Sequence, residues 1–160
     1  MDGKEFTENE IWNRMLDSQM RACYFSTLST RYTNIIKVSK LLQTITTSGA
    51  AISGTLATQT GEYWKYFTLI AATIAIINQV WNLNKSLINA EKNYEKWSNI
   101  HAEYEVLWAK LKHGHNLSTI QQKLEQMIKD DEKLNGKFSF KGSKKILIDC
   151  QKLINNSRDN

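Results

Sequence analysis

The chain has 160 residues, a mass of 18.5 kDa, a net charge of +5 and a mean hydropathy of −0.47. That length suits one domain. It holds no proline, against roughly eight expected from average usage, which argues against a β-sandwich or a Pro-rich linker and for long unbroken helices. The mildly basic balance permits contact with an anionic surface without establishing one. Cys23 and Cys150 lie far apart in the chain, form neither a disulfide framework nor a zinc set, and read as reduced thiols in a cytosol-facing protein.

The first ten residues are acidic and polar and lack an apolar h-region, so no cleavable secretory signal is expected. Thr7-Glu8-Asn9-Glu10 reads as a capping box. Ile11, Trp12, Met15, Leu16, Met20, Cys23 and Tyr24 follow at helical spacing. They predict an amphipathic helix that packs on later elements or runs into the next segment.

Charge then thins out. Leu41 to Gly61 and Tyr66 to Asn84 carry no charged residue, and each window matches the roughly 20 residues that cross a bilayer as a helix. The link between them is Glu62-Tyr63-Trp64-Lys65, short enough for a tight helical hairpin. The second window has a strong apolar centre from Phe67 to Ile77, whereas Thr44, Thr46, Thr47, Ser48, Ser53, Thr55 and Thr58 dilute the first. Serine and threonine are tolerated in membrane helices because their hydroxyls bond back to the backbone. Arg31, Lys37 and Lys40 precede the first window, and Lys85, Lys92 and Lys96 follow the second. The positive-inside rule then places both termini in the cytoplasm of a multi-pass cell (inner) membrane protein. Aromatic clusters at Tyr63, Trp64, Tyr66 and Phe67, and at Tyr32 and Trp81, suit two interfacial belts. The competing reading is a soluble helical hairpin with aromatic core residues.

Within the windows, Thr44, Thr47, Ala51, Thr55 and Thr58 fall on one helical stripe and are candidates for pore lining or interhelical contact. Thr46, Ala50, Gly54 and Thr58 recur every fourth residue, a close-packing pattern for helices. Asn78, Gln79 and Asn82 are polar near the end of the second window and need partners or water in a bilayer. Oligomerisation supplies such partners, and ordinary interhelical packing is the simpler alternative.

Beyond the windows, Leu83, Leu87, Ala90, Tyr94, Trp97, His101, Tyr104, Trp108 and Leu111 alternate spacings of four and three, a heptad seam for a coiled-coil-like stem over about 85–112. One helix from Lys65 to Lys112 is expected, about 70 Å long at 1.5 Å per residue, ending at a Gly114 cap. Ser118-Thr119-Ile120-Gln121 reads as a second capping box for a helix over about 118–135. Ile120, Leu124, Met127, Ile128 and Leu134 form its apolar face, Gly136 stops it, and Asp130-Asp131-Glu132 reads as its solvated end. Residues 137–160 form a basic segment with a short amphipathic helix around Ile146, Leu147, Cys150, Leu153 and Ile154. The pair His113 and His115 reads as a loop feature rather than a metal site. No P-loop, nucleophile elbow or zinc-protease signature occurs, so no catalysis, metal, cofactor or nucleic-acid partner is expected.

The layout resembles the SLATT family, two-transmembrane proteins of bacterial nucleotide-signalling conflict systems. The resemblance rests on Arg21, Tyr24 and Arg31-Tyr32, then the two apolar windows. It continues in Trp81-Asn82-Leu83, Ala90-Glu91, Tyr94-Glu95-Lys96-Trp97, His101, Tyr104 and Leu107, and it covers about residues 8–135. It implies an oligomeric membrane effector of antiviral defence, forming pores when a separate nucleotide-signalling sensor protein is triggered. The first window is more polar than that layout implies. The expected architecture is therefore all-α, with a two-helix transmembrane hairpin in a 1–136 domain, membrane helices at about 41–61 and 66–84, a long cytoplasmic stem, and packed terminal helices. The rival is a soluble helical-bundle module that self-associates through the 83–111 heptad.

Overall fold

The computed structural model describes residues 3–56, 66, 69–70, 73, 82–135 and 143–156, with backbone alone over 46–56 and 134–135. Among these residues the chain is all-α, with helices α1 (Gly3–Leu56), α2 (Leu83–Lys112), α3 (Leu117–Asn135) and α4 (Lys144–Asn156). No described helix is long and apolar enough to cross a membrane. For 41–56 the physical reason is the threonine and serine content that dilutes its apolar residues; most of the 66–84 window lies outside the described residues.

Two compact units divide the chain, one made of 1–27 and 92–160, the other of 28–91. In the first, the start of α1 lies antiparallel to α2: Trp12 packs against Trp108 in a tilted pair with ring centroids 5.3 Å apart, and the Arg21 guanidinium sits 4.7 Å from the Trp97 ring. Ile11 and Met15 of α1 join Tyr104, Leu107 and Leu111 of α2 and Ile120, Leu124 and Met127 of α3 in one core. Each is an apolar side chain repeating at three or four, so one stripe per helix turns inward. In the second unit, Ile36, Ser39, Lys40 and Gln43 of α1 line a cleft with Leu83 and Asn84 of α2, so the chain returns alongside itself there.

The stem register is half as expected. Leu83, Ala90, Trp97, Tyr104 and Leu111 are buried at intervals of seven, but Leu87, His101 and Trp108 are only half-buried and Tyr94 is exposed. The inward companions are instead Asn93, Ile100 and Leu107, of which Asn93 and Leu107 are fully buried. In a heptad these are the d positions, whereas Tyr94, His101 and Trp108 are flanking e positions. Both sets sit at three-four spacing around the same a residues, so spacing alone does not choose between them.

The helix does not run unbroken from Lys65 to Lys112. Asn82 has φ +45°, and α2 starts after it. A left-handed residue cannot continue a right-handed helix, and asparagine is among the residues that tolerate it. The far end behaves as expected. Gly114 has φ +76°, its amide donates to Leu111 O, and His115 N reaches back to Lys110 O, a Schellman closure.

Both capping boxes are displaced. The first helix begins at Gly3, and Thr7 lies within it with its hydroxyl donated to Gly3 O at 2.8 Å. Thr7 Oγ1 also accepts from Gln121 Nε2 at 3.1 Å, so the residue ties α1 to α3. At α3 the cap is Asn116, whose Oδ1 accepts from Ser118 N at 2.9 Å.

The reading of two reduced thiols is overturned as well. Cys23 and Cys150 form a disulfide, with Cα atoms 5.8 Å apart across 127 residues of sequence. Packing of α4 on α1 brings them together. Nothing local in the sequence records a pairing at that distance.

Candidate functional site

Burial concentrates polar groups at one place in the first unit. Asp131 on α3 is 6% exposed. It is not the solvated helix end expected of the Asp130-Asp131-Glu132 run. Its Oδ2 accepts a 2.6 Å hydrogen bond from the Tyr104 hydroxyl and lies 4.0 Å from an Arg14 nitrogen. Arg14 is held in turn by Glu10 at 2.6 Å, one helical turn earlier. Burial pushes the Asp131 carboxyl above its ordinary range, against the pull of Tyr104 and Arg14. Burial and the acceptor at Asp131 push the Tyr104 phenol up in the same way.

His101 stands nearby. Its Nδ1 is 3.1 Å from Met15 O and 3.4 Å from Ser18 Oγ, and its Nε2 is 3.4 Å from Glu105. Serine, histidine and carboxylate thus stand in the order of a nucleophilic relay. The chemistry does not follow. Ser18 is 1% exposed, and its hydroxyl proton is already donated to Met15 O at 2.8 Å, so no substrate reaches it and the histidine does not take its proton. Among the described residues no group of three His, Cys, Asp or Glu is placed to hold a metal ion. His113 and His115 are both exposed at the Gly114 turn. This polar cluster locks α1, α2 and α3 together.

The second unit presents a different surface. Val38, Leu41 and Ile45 follow one another at spacings of three and four on α1, with Ile35 one turn earlier, and all four are about half exposed or more. Such side chains on a helix are ordinarily turned toward a core. Here they form an outward apolar row beside exposed Lys37 and Lys40. Tyr66, Leu69 and Ile70 of the second window are exposed too.

Of the stripe residues, Thr44 is exposed and donates its hydroxyl to Lys40 O at 2.9 Å, the back-bond that lets a threonine sit in an apolar helix. Thr73 does the same to Leu69 O at 2.8 Å. The positions Thr46, Thr47, Ala50, Ala51, Gly54 and Thr55 lie in α1, and their side chains fall outside the described residues. Thr58, Asn78 and Gln79 lie outside them altogether. Asn82 is exposed at its left-handed turn, and its carbonyl accepts from Ser86 N at 3.1 Å. No family model, curated protein or solved structure matches the chain.

Sequence reasoning missed Arg14, Asn116 and Asp131. For Asp131 a signal existed: it falls four residues after Met127 and seven after Leu124, on the inward stripe of its helix.

Proposed function

We propose that the protein is a membrane effector of bacterial antiviral defence, working as an oligomer that perturbs or perforates the cell membrane through the 41–61 and 66–84 windows. The observation that supports this is the outward apolar row Val38, Leu41 and Ile45, which leads directly into a charge-free window. An apolar row exposed on a single chain needs lipid or another copy to cover it. On a helical wheel of the sequence, the positions of the hydroxyl stripe from Thr44 to Thr55 fall about a third of a turn round from that row. Lipid on the row and other copies on the stripe satisfy both surfaces. Insertion is then a property of the assembly, which suits a first window diluted by threonine and serine.

The defence role and the separate nucleotide-signalling sensor rest on the SLATT resemblance. Both termini then face the cytoplasm, with Lys85, Lys92 and Lys96 near that surface. The test is toxicity on expression, read beside dye release from vesicles. Thr47→Leu with Thr55→Leu is expected to abolish both while the protein still pellets with membranes. Unchanged toxicity removes the hydroxyl stripe from the pathway.

A second reading is a soluble helical interaction module, favoured by the absence of a described helix apolar enough to cross. Its self-association through the 83–111 seam is disfavoured, because Leu83, Ala90, Trp97, Tyr104 and Leu111 are already buried within one chain. Such a module would associate through the α1 row instead.

A further inference from the structure

We propose that the Cys23–Cys150 disulfide is a redox latch that holds α4 on α1, and that exchange with an external dithiol releases the helix. The α4 helix has 13 residues, a length at which an isolated helix is marginal in water. It turns three residues inward, Ile146, Cys150 and Ile154, at intervals of four. The half-cystine is the middle one and is fully buried. At the start of α4 the Ser143 amide donates to the Tyr24 hydroxyl at 3.3 Å. The core built by Ile11, Met15, Tyr104, Leu107, Leu111, Ile120, Leu124 and Met127 draws nothing from α4. Undocking α4 therefore leaves the α1–α3 core complete. The cross-link joins positions 127 residues apart, where a covalent tie removes much freedom from the released state.

The two half-cystines differ in burial, and that sets the direction of exchange. Cys23 is half-buried and Cys150 fully buried. A thiolate of the dithiol attacks Cys23 Sγ, forming a mixed disulfide and breaking the bond to Cys150. The Cys150 sulfur leaves as a thiolate 3.9 Å from the Thr27 hydroxyl and takes up a proton. The second thiol of the reductant then displaces Cys23, leaving two protein thiols and one oxidised dithiol. Two electrons and two protons pass from the dithiol to the protein. Release uncovers Ile146 and Ile154 on a helix that also carries exposed Lys144, Lys145 and Lys152.

The test is hydrogen exchange on the intact chain, oxidised with oxidised glutathione and then reduced with dithiothreitol, with thiols counted by alkylation. We expect no alkylatable thiol before reduction and both afterwards. Amides of 147–156 should exchange at least about tenfold faster in the reduced protein, while those of 100–111 are unchanged. Cys23→Ser, at the less buried half-cystine, should show the fast exchange with or without reductant. Two free thiols after the glutathione treatment would overturn the latch. So would equal exchange of α4 in the oxidised and reduced protein.

Discussion

The Tyr104 hydroxyl donates a 2.6 Å hydrogen bond to Asp131 Oδ2 in the interior, joining α2 to α3. Tyr104 is fully buried and Asp131 nearly so, and a hydrogen bond to a buried carboxylate is among the stronger kinds. Tyr104→Phe keeps the ring and removes the donor, leaving Asp131 short of a partner. The expected cost is about 1–3 kcal/mol, the penalty of a buried acceptor left unmade. Urea unfolding checks it, with an unchanged slope and a lowered midpoint.

Asp131 also gives the fold a pH dependence. Its carboxyl lies above the ordinary value of 3.8, first because of burial and in part because of Asp17. Between those two values the folded protein holds a proton that the unfolded chain has lost. The contribution is therefore fully present below pH 3.8 and is lost as pH rises through the raised value. Asp131→Asn should flatten that part of the stability curve. Thermal melts of both proteins across the acid range measure the difference.

The stem register separates two side chains that the sequence treats alike. Leu107→Ala should destabilise by about 2–5 kcal/mol, as loss of a core leucine does. Tyr94→Ala should stay within about 0.5 kcal/mol, as at other surface positions. Equal effects would restore the register that places Tyr94 on the seam. Chemical denaturation of the two variants decides it.

Tyr94 shares the spacing of the seam yet faces outward, which bounds how much of this fold the sequence discloses. The helices at the start of the chain, over the stem, at 117–135 and at the C-terminus were legible from three-four periodicity and the missing prolines. The a positions from Leu83 to Leu111 were legible too. Which flank joined them depended on the sides from which α1 and α3 approach, a tertiary fact. Asn82 gave no sign of its left-handed turn because its neighbours continue the helical pattern. Asn116 took the cap from Ser118 because its side chain sits two residues before a free amide, a competition between neighbours that composition does not rank. The Cys23–Cys150 pairing depends wholly on where α4 docks. At the candidate site, Leu41 and Ile45 were legible as the start of a charge-free window, but the outward row they make with Val38 was not.

That outward row yields a direct prediction. Leu41→Glu places a charge on the exposed apolar row without entering the core, since Leu41 is 60% exposed. It should leave the melting temperature of the α1–α3 core nearly unchanged. It should weaken membrane attachment, because a carboxylate is costly to carry into lipid. Circular dichroism melts and flotation with anionic vesicles read the two effects separately.

The most direct test of the membrane assignment is fractionation of expressing cells followed by an alkaline carbonate wash. The membrane-effector account predicts that the protein stays in the pellet after the wash and is released only by detergent. Recovery in the carbonate supernatant would contradict it and leave the soluble module in its place.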